Sequence, residues 1–314
     1  MGRPNASVKR SPESVFEDNG GTLTNPTEQA MARSRFVLPV EPDPCEGLVV
    51  ERGPRDDGVG RWVPDEKHTL LAKLLGGTKG ARAKWSERVL IDPFCGPGRI
   101  QVKGESDTRD GGAVVAWRQS VANKTPFTKV LVGDLNAERA QACKQRLEAL
   151  GAPVQGFVGP AADTSKEMAR LVSPQALAFA YVDPYNLEFL SFDIIKVLGA
   201  LKHIDFVVHF STMDLQRNVD MELDDARARF DEAAPGWRTR LNVKAMSKIE
   251  LRQKFFEYWM SLITELGFTF SREKPLVRGD RNEPLYRLVS FSRHALPNNI
   301  WDDVAKSANM DFGF

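Results

Sequence analysis

The sequence has little of what builds metal centres or covalent scaffolds. Its three cysteines, Cys45, Cys95 and Cys143, form no C-x-x-C pair, and its four histidines are scattered. That spacing excludes a disulfide framework or zinc site as the organising element, and it predicts reduced thiols, a cytoplasmic setting and no metal. Nothing approaches the ~18-residue apolar run of a membrane span. The opening residues, MGRPNASVKRSPES, also lack the apolar stretch of a secretory signal. Charge of one sign is missing too. Lys plus Arg is 43 and Asp plus Glu is 42, a net charge of +1, which excludes a uniformly basic coat but permits a local basic patch. What is present is ordinary globular material over 314 residues, 42% hydrophobic and 27% charged, enough to bury a core.

Residues 1–60 hold 7 of the 19 prolines and only two aromatics, Phe16 and Phe36. Such a segment buries too little apolar surface to offset its ordering entropy. It reads as a disordered or extended N-terminal segment, with residues 1–30 mobile and ARSRFVLPVEPDPCEGLVVERGP extended along the body. Residues 61–314 read as one domain. From Trp62 onward strand and helix patterns alternate. A leading helix over 63–75 precedes strands at 88–92, 128–134, 153–159, 176–185 and 204–212. Helices fall between them at 111–122, after Asn136 with Gly151 as stop, from Asp163 to Leu171, and over FLSFDIIKVLGAL. A long helix over 248–267 and a hairpin of FTFSREKPL with LYRLVSFSRH close the pattern. The expected fold class is α/β: a doubly wound, mostly parallel sheet with a C-terminal antiparallel hairpin and helices on both faces. In such sheets ligands sit beyond the carboxyl ends of the strands, so the residues just after each strand matter most.

Three strand ends carry candidate chemistry. After the first comes D-P-F-C-G-P-G, Asp92 to Gly98. Its glycines allow close backbone approach to a ligand, and Asp92 can accept from an ammonium or hydroxyl. G-K-[ST] is absent, so this is no P-loop, and Gln101 stands where a G-x-G-x-x-G pattern needs its third glycine. The second strand ends in Asp134, placed to take both ribose hydroxyls or to cap the next helix, a role for which Asn136 competes. The segment 99–110 reads as a polar loop inserted between turn and helix. After the fourth strand come Asp183, Pro184, Tyr185 and Asn186. They resemble the [DN]-P-P-[YF] tetrapeptide of amino-group methyltransferases with one proline missing, in which alignment of the acceptor does most of the catalysis. Other candidates stay open. Asp163 holds an adenine or caps its helix. Arg217, in an H-F-S-T-M-D-L-Q-R-N loop, contacts phosphate or pairs with Glu222, Asp224 or Asp225. His209 reads as a core histidine. Basic groups at Arg238, Arg240, Lys244, Lys248, Arg252 and Lys254 beside Trp237, and at Arg272, Lys274, Arg278 and Arg281, form either a phosphate-backbone patch or a solvated surface.

Taken in order, Trp62 with Lys67, D-P-F-C-G-P-G-R, G-G-A-V-V-A, the V-G-D strand end, V-D-P-Y and F-S-T-M-D-L-Q-R resemble the three-Cys-motif partner proteins (TcmP), a bacterial family with a class I Rossmann methyltransferase-like core. The resemblance covers residues 62–292. Asn186 replaces the family's glycine, and Gly111-Gly112-Ala113 replaces G-S-P. It implies an S-adenosylmethionine-dependent methyltransferase. Asp92, Phe94, Gly96, Gly98, Asp134 and Asp163 would then bind the donor. Asp183, Pro184 and Tyr185 would orient an acceptor nitrogen, expected on a nucleic acid base, with Asn186 and Arg217 as further substrate contacts. The alternative is a non-catalytic partner that binds a nucleotide or donor and serves a three-cysteine-motif companion protein of radical or iron–sulfur type. A nuclease-like module ranks third, because the three aspartates end separate strands.

Overall fold

The apolar runs that end in aspartate become the central strands of one sheet. The structure is a computed structural model that describes residues 1–2, 36–222, 228–243 and 246–311. The chain divides into Met1–Phe36 and Val37–Phe314, and the fold belongs to the second unit. Residues 3–35, on which the expectation of a mobile start falls, lie outside the described residues.

The strands are β1 (Arg88–Asp92), β2 (Arg99–Gln101), β3 (Thr108–Asp110), β4 (Lys129–Asp134), β5 (Val154–Val158), β6 (Leu177–Val182), β7 (Ile204–Ser211), β8 (Thr269–Phe270), β9 (Leu276–Arg278) and β10 (Pro284–Ser292). All but β2 and β3 form one sheet in the order β5-β4-β1-β6-β7-β10-β8, with β9 paired to β10. β1 lies parallel to both β4 and β6, β5 parallel to β4, and β7 parallel to β6. β10 is antiparallel to β7 and β8. This is the expected doubly wound sheet with an antiparallel member. The strand order reverses on either side of β1, which places the ligand crevice beyond the ends of β1 and β6.

The larger helices are α1 (Thr69–Gly77), α2 (Gly112–Ala122), α3 (Ala137–Ala149), α4 (Ala161–Arg170), α5 (Phe192–Gly199), α6 (Thr212–Glu222), α7 (Lys248–Glu265) and α8 (Ala295–Asp311). Strand residues alternate between two cores, as a twofold side-chain period requires. Ala178, Ala180 and Val182 face one core with α4, α5, α6 and α7, where Phe255 and Trp259 are fully buried. Phe179 and Tyr181 face the other, with α1, α2, α3 and α8. Asn136 caps α3 by accepting from the Arg139 amide at 3.1 Å, so Asp134 is not the cap.

Four elements differ from the sequence reading. The leading helix begins as a π-helical turn, Val63–His68, before α1. Residues 99–110 are a two-stranded ladder, β2 with β3, fastened where Arg99 Nη1 reaches Asp110 Oδ1 at 2.5 Å. The hairpin partner of β10 is β9, whereas β8 pairs with the other end of β10. From Thr212 on, the F-S-T-M-D-L-Q-R segment is the helix α6, started by Ser211 Oγ accepting from the Asp214 amide at 3.2 Å. The helix α8 is an addition to the expected set; Trp301, fully buried, docks it on the α1 side.

Residues 37–60 run along the domain. Glu51 bridges to Ile100 and Val59 to Val102 in parallel pairings. Arg146 of α3, fully buried, holds this stretch by a bidentate bond to Asp43 at 2.8 and 2.9 Å.

Candidate active site

Three aspartates meet the crevice from adjacent strands. Asp92 ends β1, Asp134 ends β4 and Asp183 follows β6. Asp92 is 1% exposed, and its Oδ1 accepts from the Phe94 amide at 3.0 Å. Its Oδ2 has no hydrogen-bond partner among the described residues. Burial pushes its carboxyl well above the usual range, the Phe94 bond opposing, and the fields of Asp183 and Asp134 push it further.

The turn beside Asp92 holds two glycines in the left-handed region. Gly96 has φ +56°, and a Cβ there would meet only Arg139 Nη2, at 3.4 Å. Gly98 has φ +74°, and a Cβ would lie 3.1 Å from both Cys143 Cα and Sγ, so the turn packs directly on α3. Phe94 is half-buried against the core, and Cys95 is buried and free.

Asp134, the residue expected to take a ribose, ends β4 with its side chain 15% exposed. Its Oδ1 accepts from the Asn136 amide at 2.8 Å, while Arg139 Nε stands 3.5 Å from Oδ2. Arg139 also pairs with Glu51. Asp163 is not drawn toward the other two. It is 65% exposed, pairs with Lys166 at 2.9 Å, and does not cap α4, whose cap position is Pro160.

Asp183 is the most heavily engaged group of the site. Its Oδ2 receives Lys67 Nζ at 2.7 Å and Tyr181 OH at 3.3 Å, and its Oδ1 faces His209 Nδ1 at 2.7 Å. The side chains of Lys67, His209 and Asp183 are 9, 10 and 16% exposed. Burial would raise the Asp183 carboxyl, but the Lys67 charge and the His209 bond outweigh it and hold the group far below the carboxylate range. Burial lowers the His209 imidazole, against the pull of Asp183. The neighbouring His68, fully enclosed, falls to about 3 through burial and the Lys67 charge. Tyr286 from β10 packs its ring 4.0 Å from that of His209, with Lys67 Nζ 5.6 Å from its centroid. Its hydroxyl is buried without a partner.

The rest of the D-P-Y-N turn is shaped by local bonds. Pro184 is buried, and Tyr185 is 66% exposed with its ring open to solvent. Asn186 is extended, φ −147°, not left-handed; its side chain caps the short helix Leu187–Phe189 by accepting from the Phe189 amide at 3.3 Å. Its oxygen is therefore engaged with the backbone, and its amide nitrogen has no hydrogen-bond partner among the described residues. Asp214 Oδ2 accepts from the Leu187 amide at 2.9 Å and ties the turn to α6.

Gly112 explains the G-G-A opening of α2. A Cβ there would lie 2.5 Å from Cε1 of Tyr181, so only glycine lets the helix approach the residue that bonds Asp183. Gly112→Ala is expected to destabilise by about 1–3 kcal/mol through overpacking. Thermal melts of the two proteins check this, and an unchanged midpoint contradicts it.

Arg217 is exposed on α6; of its expected partners, Asp224 and Asp225 lie outside the described residues, as does the Glu222 side chain. The basic groups are largely engaged. Arg238 pairs with Asp231 at 2.8 Å and Lys254 with Glu257 at 2.7 Å, and Lys244 lies outside the described residues. Trp237 is fully buried and offers no stacking face. Arg272, 83% exposed, stands 3.6 Å from Asp302, and Arg240 and Arg281 are exposed. Among the described residues no three His, Cys, Asp or Glu side chains converge as metal ligands, and no helix is long and apolar enough to cross a membrane.

The sequence reading missed Lys67, Tyr181, His209 and Tyr286 as members of the site. In the sequence Lys67 has a place in the motif series but no role, and His209 reads as a core histidine. The available signal was a lysine and a histidine in apolar surroundings, each needing a buried partner.

No family model matches the chain, and no curated protein sequence matches it. Among solved structures, the chain is similar to an O-methyltransferase from Bacillus cereus in complex with SAH, at 9% identity over 72% of this chain and 80% of that one, TM-score 0.42. It is similar to the O-methyltransferase TomG from Streptomyces achromogenes in complex with SAM, at 14% identity over 73% and 79%, TM-score 0.40. A third likeness is to an rRNA methylase from Streptococcus thermophilus, at 12% identity over 73% and 94%, TM-score 0.35. At such values no residue role passes from those proteins to this one.

Proposed function

We propose that this chain is an S-adenosylmethionine-dependent methyltransferase. The observation that carries the reading is the gathering of Asp92, Asp134 and Asp183 at the switch point of a sheet whose antiparallel strand β10 is inserted before the last. A mostly parallel Rossmann-like sheet with an antiparallel member is what the sequence resemblance implies. When bound, the donor supplies a methyl group on a positively charged sulfur. Asp92, with one oxygen free and no counter-charge, would hold the donor's ammonium beside Gly96. Asp134 would take the ribose hydroxyls on the side facing away from Arg139. Asp163 has no part in this reading.

An amino group on a nucleic acid base is the acceptor the motif resemblance suggests. The open ring of Tyr185 supports it, since a base can stack there. The engaged oxygens of Asp183 count against that residue gripping the amine directly. A three-cysteine-motif companion protein rests on the resemblance alone.

The test is transfer of a labelled methyl group from S-adenosylmethionine, by the full chain, into RNA, DNA and protein pools. Label entering any pool supports the reading. Tight donor binding with no transfer to any of them favours the non-catalytic partner.

A further inference from the structure

We infer that His209, oriented by Asp183, is the proton acceptor for a hydroxyl group, so that the methyl acceptor is oxygen. The inference rests on the methyltransferase reading and deepens it. Three arrangements carry it. First, both oxygens of Asp183 already accept from the protein itself: Lys67 and Tyr181 bond Oδ2, and His209 bonds Oδ1. Second, the 2.7 Å bond fixes the imidazole. A carboxylate accepts only, so Nδ1 carries the hydrogen, and the lone pair of a neutral ring lies on Nε2. Nε2 has no hydrogen-bond partner among the described residues. Third, the ring is held from its other side by Tyr286, whose buried hydroxyl also lacks a partner. An unpartnered imidazole lone pair beside the carboxylate that ends the crevice is a place for an incoming O–H.

The step balances without any further reagent. Nε2 takes the hydroxyl proton as the oxygen lone pair forms a bond to the methyl carbon. The carbon–sulfur bond breaks with its electron pair going to sulfur, whose positive charge is thereby neutralised. The imidazolium then releases its proton to water. Asp183 stabilises the imidazolium, while Lys67 keeps the carboxylate ionised and in register; both are positioning residues. Burial keeps the imidazole neutral near pH 7.

Two hydroxyl sources are distinguished by two probes, total RNA for a ribose hydroxyl and catechol for a free phenol. Each is incubated with the full chain and methyl-labelled S-adenosylmethionine, and the RNA is digested to nucleosides to locate the label. Label on oxygen in either arm is the expected result. His209→Gln is then expected to lower transfer by roughly 100-fold or more while leaving donor affinity unchanged. The rate should also lose its rise with pH below 6.5, the ordinary histidine value that burial depresses. The groups facing His209 through that titration are Asp183 just after β6, Lys67 from the π-turn and Tyr286 from β10. Label on nitrogen, label in neither probe with donor binding intact, or full activity in the variant overturns the inference. Absent donor binding, read separately by calorimetry, fails the methyltransferase reading instead.

Discussion

Asp183→Asn is expected to lose methyl transfer by roughly 10²–10⁴-fold, the range for removing acid–base assistance, while donor affinity stays as it was. The amide keeps the shape of the carboxylate but not its charge. Lys67 is then left 9% exposed with its counter-ion gone, and His209 loses the acceptor that fixes its Nδ1 hydrogen. Donor affinity should survive because the groups proposed to hold the donor, Asp92 and Asp134, sit on other strands. Stability should fall as well, by about 3 kcal/mol for one half of a buried pair. The sign with pH is fixed. The folded carboxyl lies below its ordinary value of 3.8, so its contribution is present above that value and lost as pH falls through the folded pKa. The variant should therefore differ most from the parent near neutrality and converge with it in acid. Single-turnover transfer, donor titration and melts across pH measure the three effects. Unchanged transfer contradicts the role given to Asp183.

The second large effect is expected at Arg146, outside the crevice. Arg146→Met is expected to cost about 3–5 kcal/mol, or roughly 6–15 °C in Tm for a domain of this size. The fully buried guanidinium forks onto Asp43 and also donates to the carbonyls of Val49 at 2.9 Å and Pro97 at 2.7 Å. Methionine fills the volume but leaves the Asp43 carboxylate and those carbonyls unpaired. Because Pro97 lies inside the D-P-F-C-G-P-G turn, donor affinity should weaken too. A melt that moves by less than 2 °C, with the moderate effect of an exposed pair as its measure, contradicts this account of how residues 37–60 are held.

The central strands were legible because each is an apolar run ended by aspartate, and parallel strands buried on both faces need such runs. Asn136 and Gly151 punctuate α3 as read, the first by its side-chain cap and the second by φ +75°. The helix α6 carried a signal that went unused: Ser211-Thr212-Met213-Asp214 has the spacing of a capping box. In α8, Pro297 and two asparagines dilute the apolar period within its first turns. The aspartate triad could be read from strand ends alone. The Lys67–Asp183–His209 cluster could not, because it joins residues 116 and 26 positions apart in the chain. It exists only once the sheet order sets β7 beside β6 and the π-turn over both.

The most direct test of the account is titration of the purified full chain with S-adenosylmethionine by calorimetry, with Asp134→Ala run in parallel. The account predicts saturable one-site binding in the parent that is lost or weakened at least about tenfold in the variant, about 1.4 kcal/mol of binding energy. No heat of binding in the parent, or equal affinity in both proteins, would contradict it.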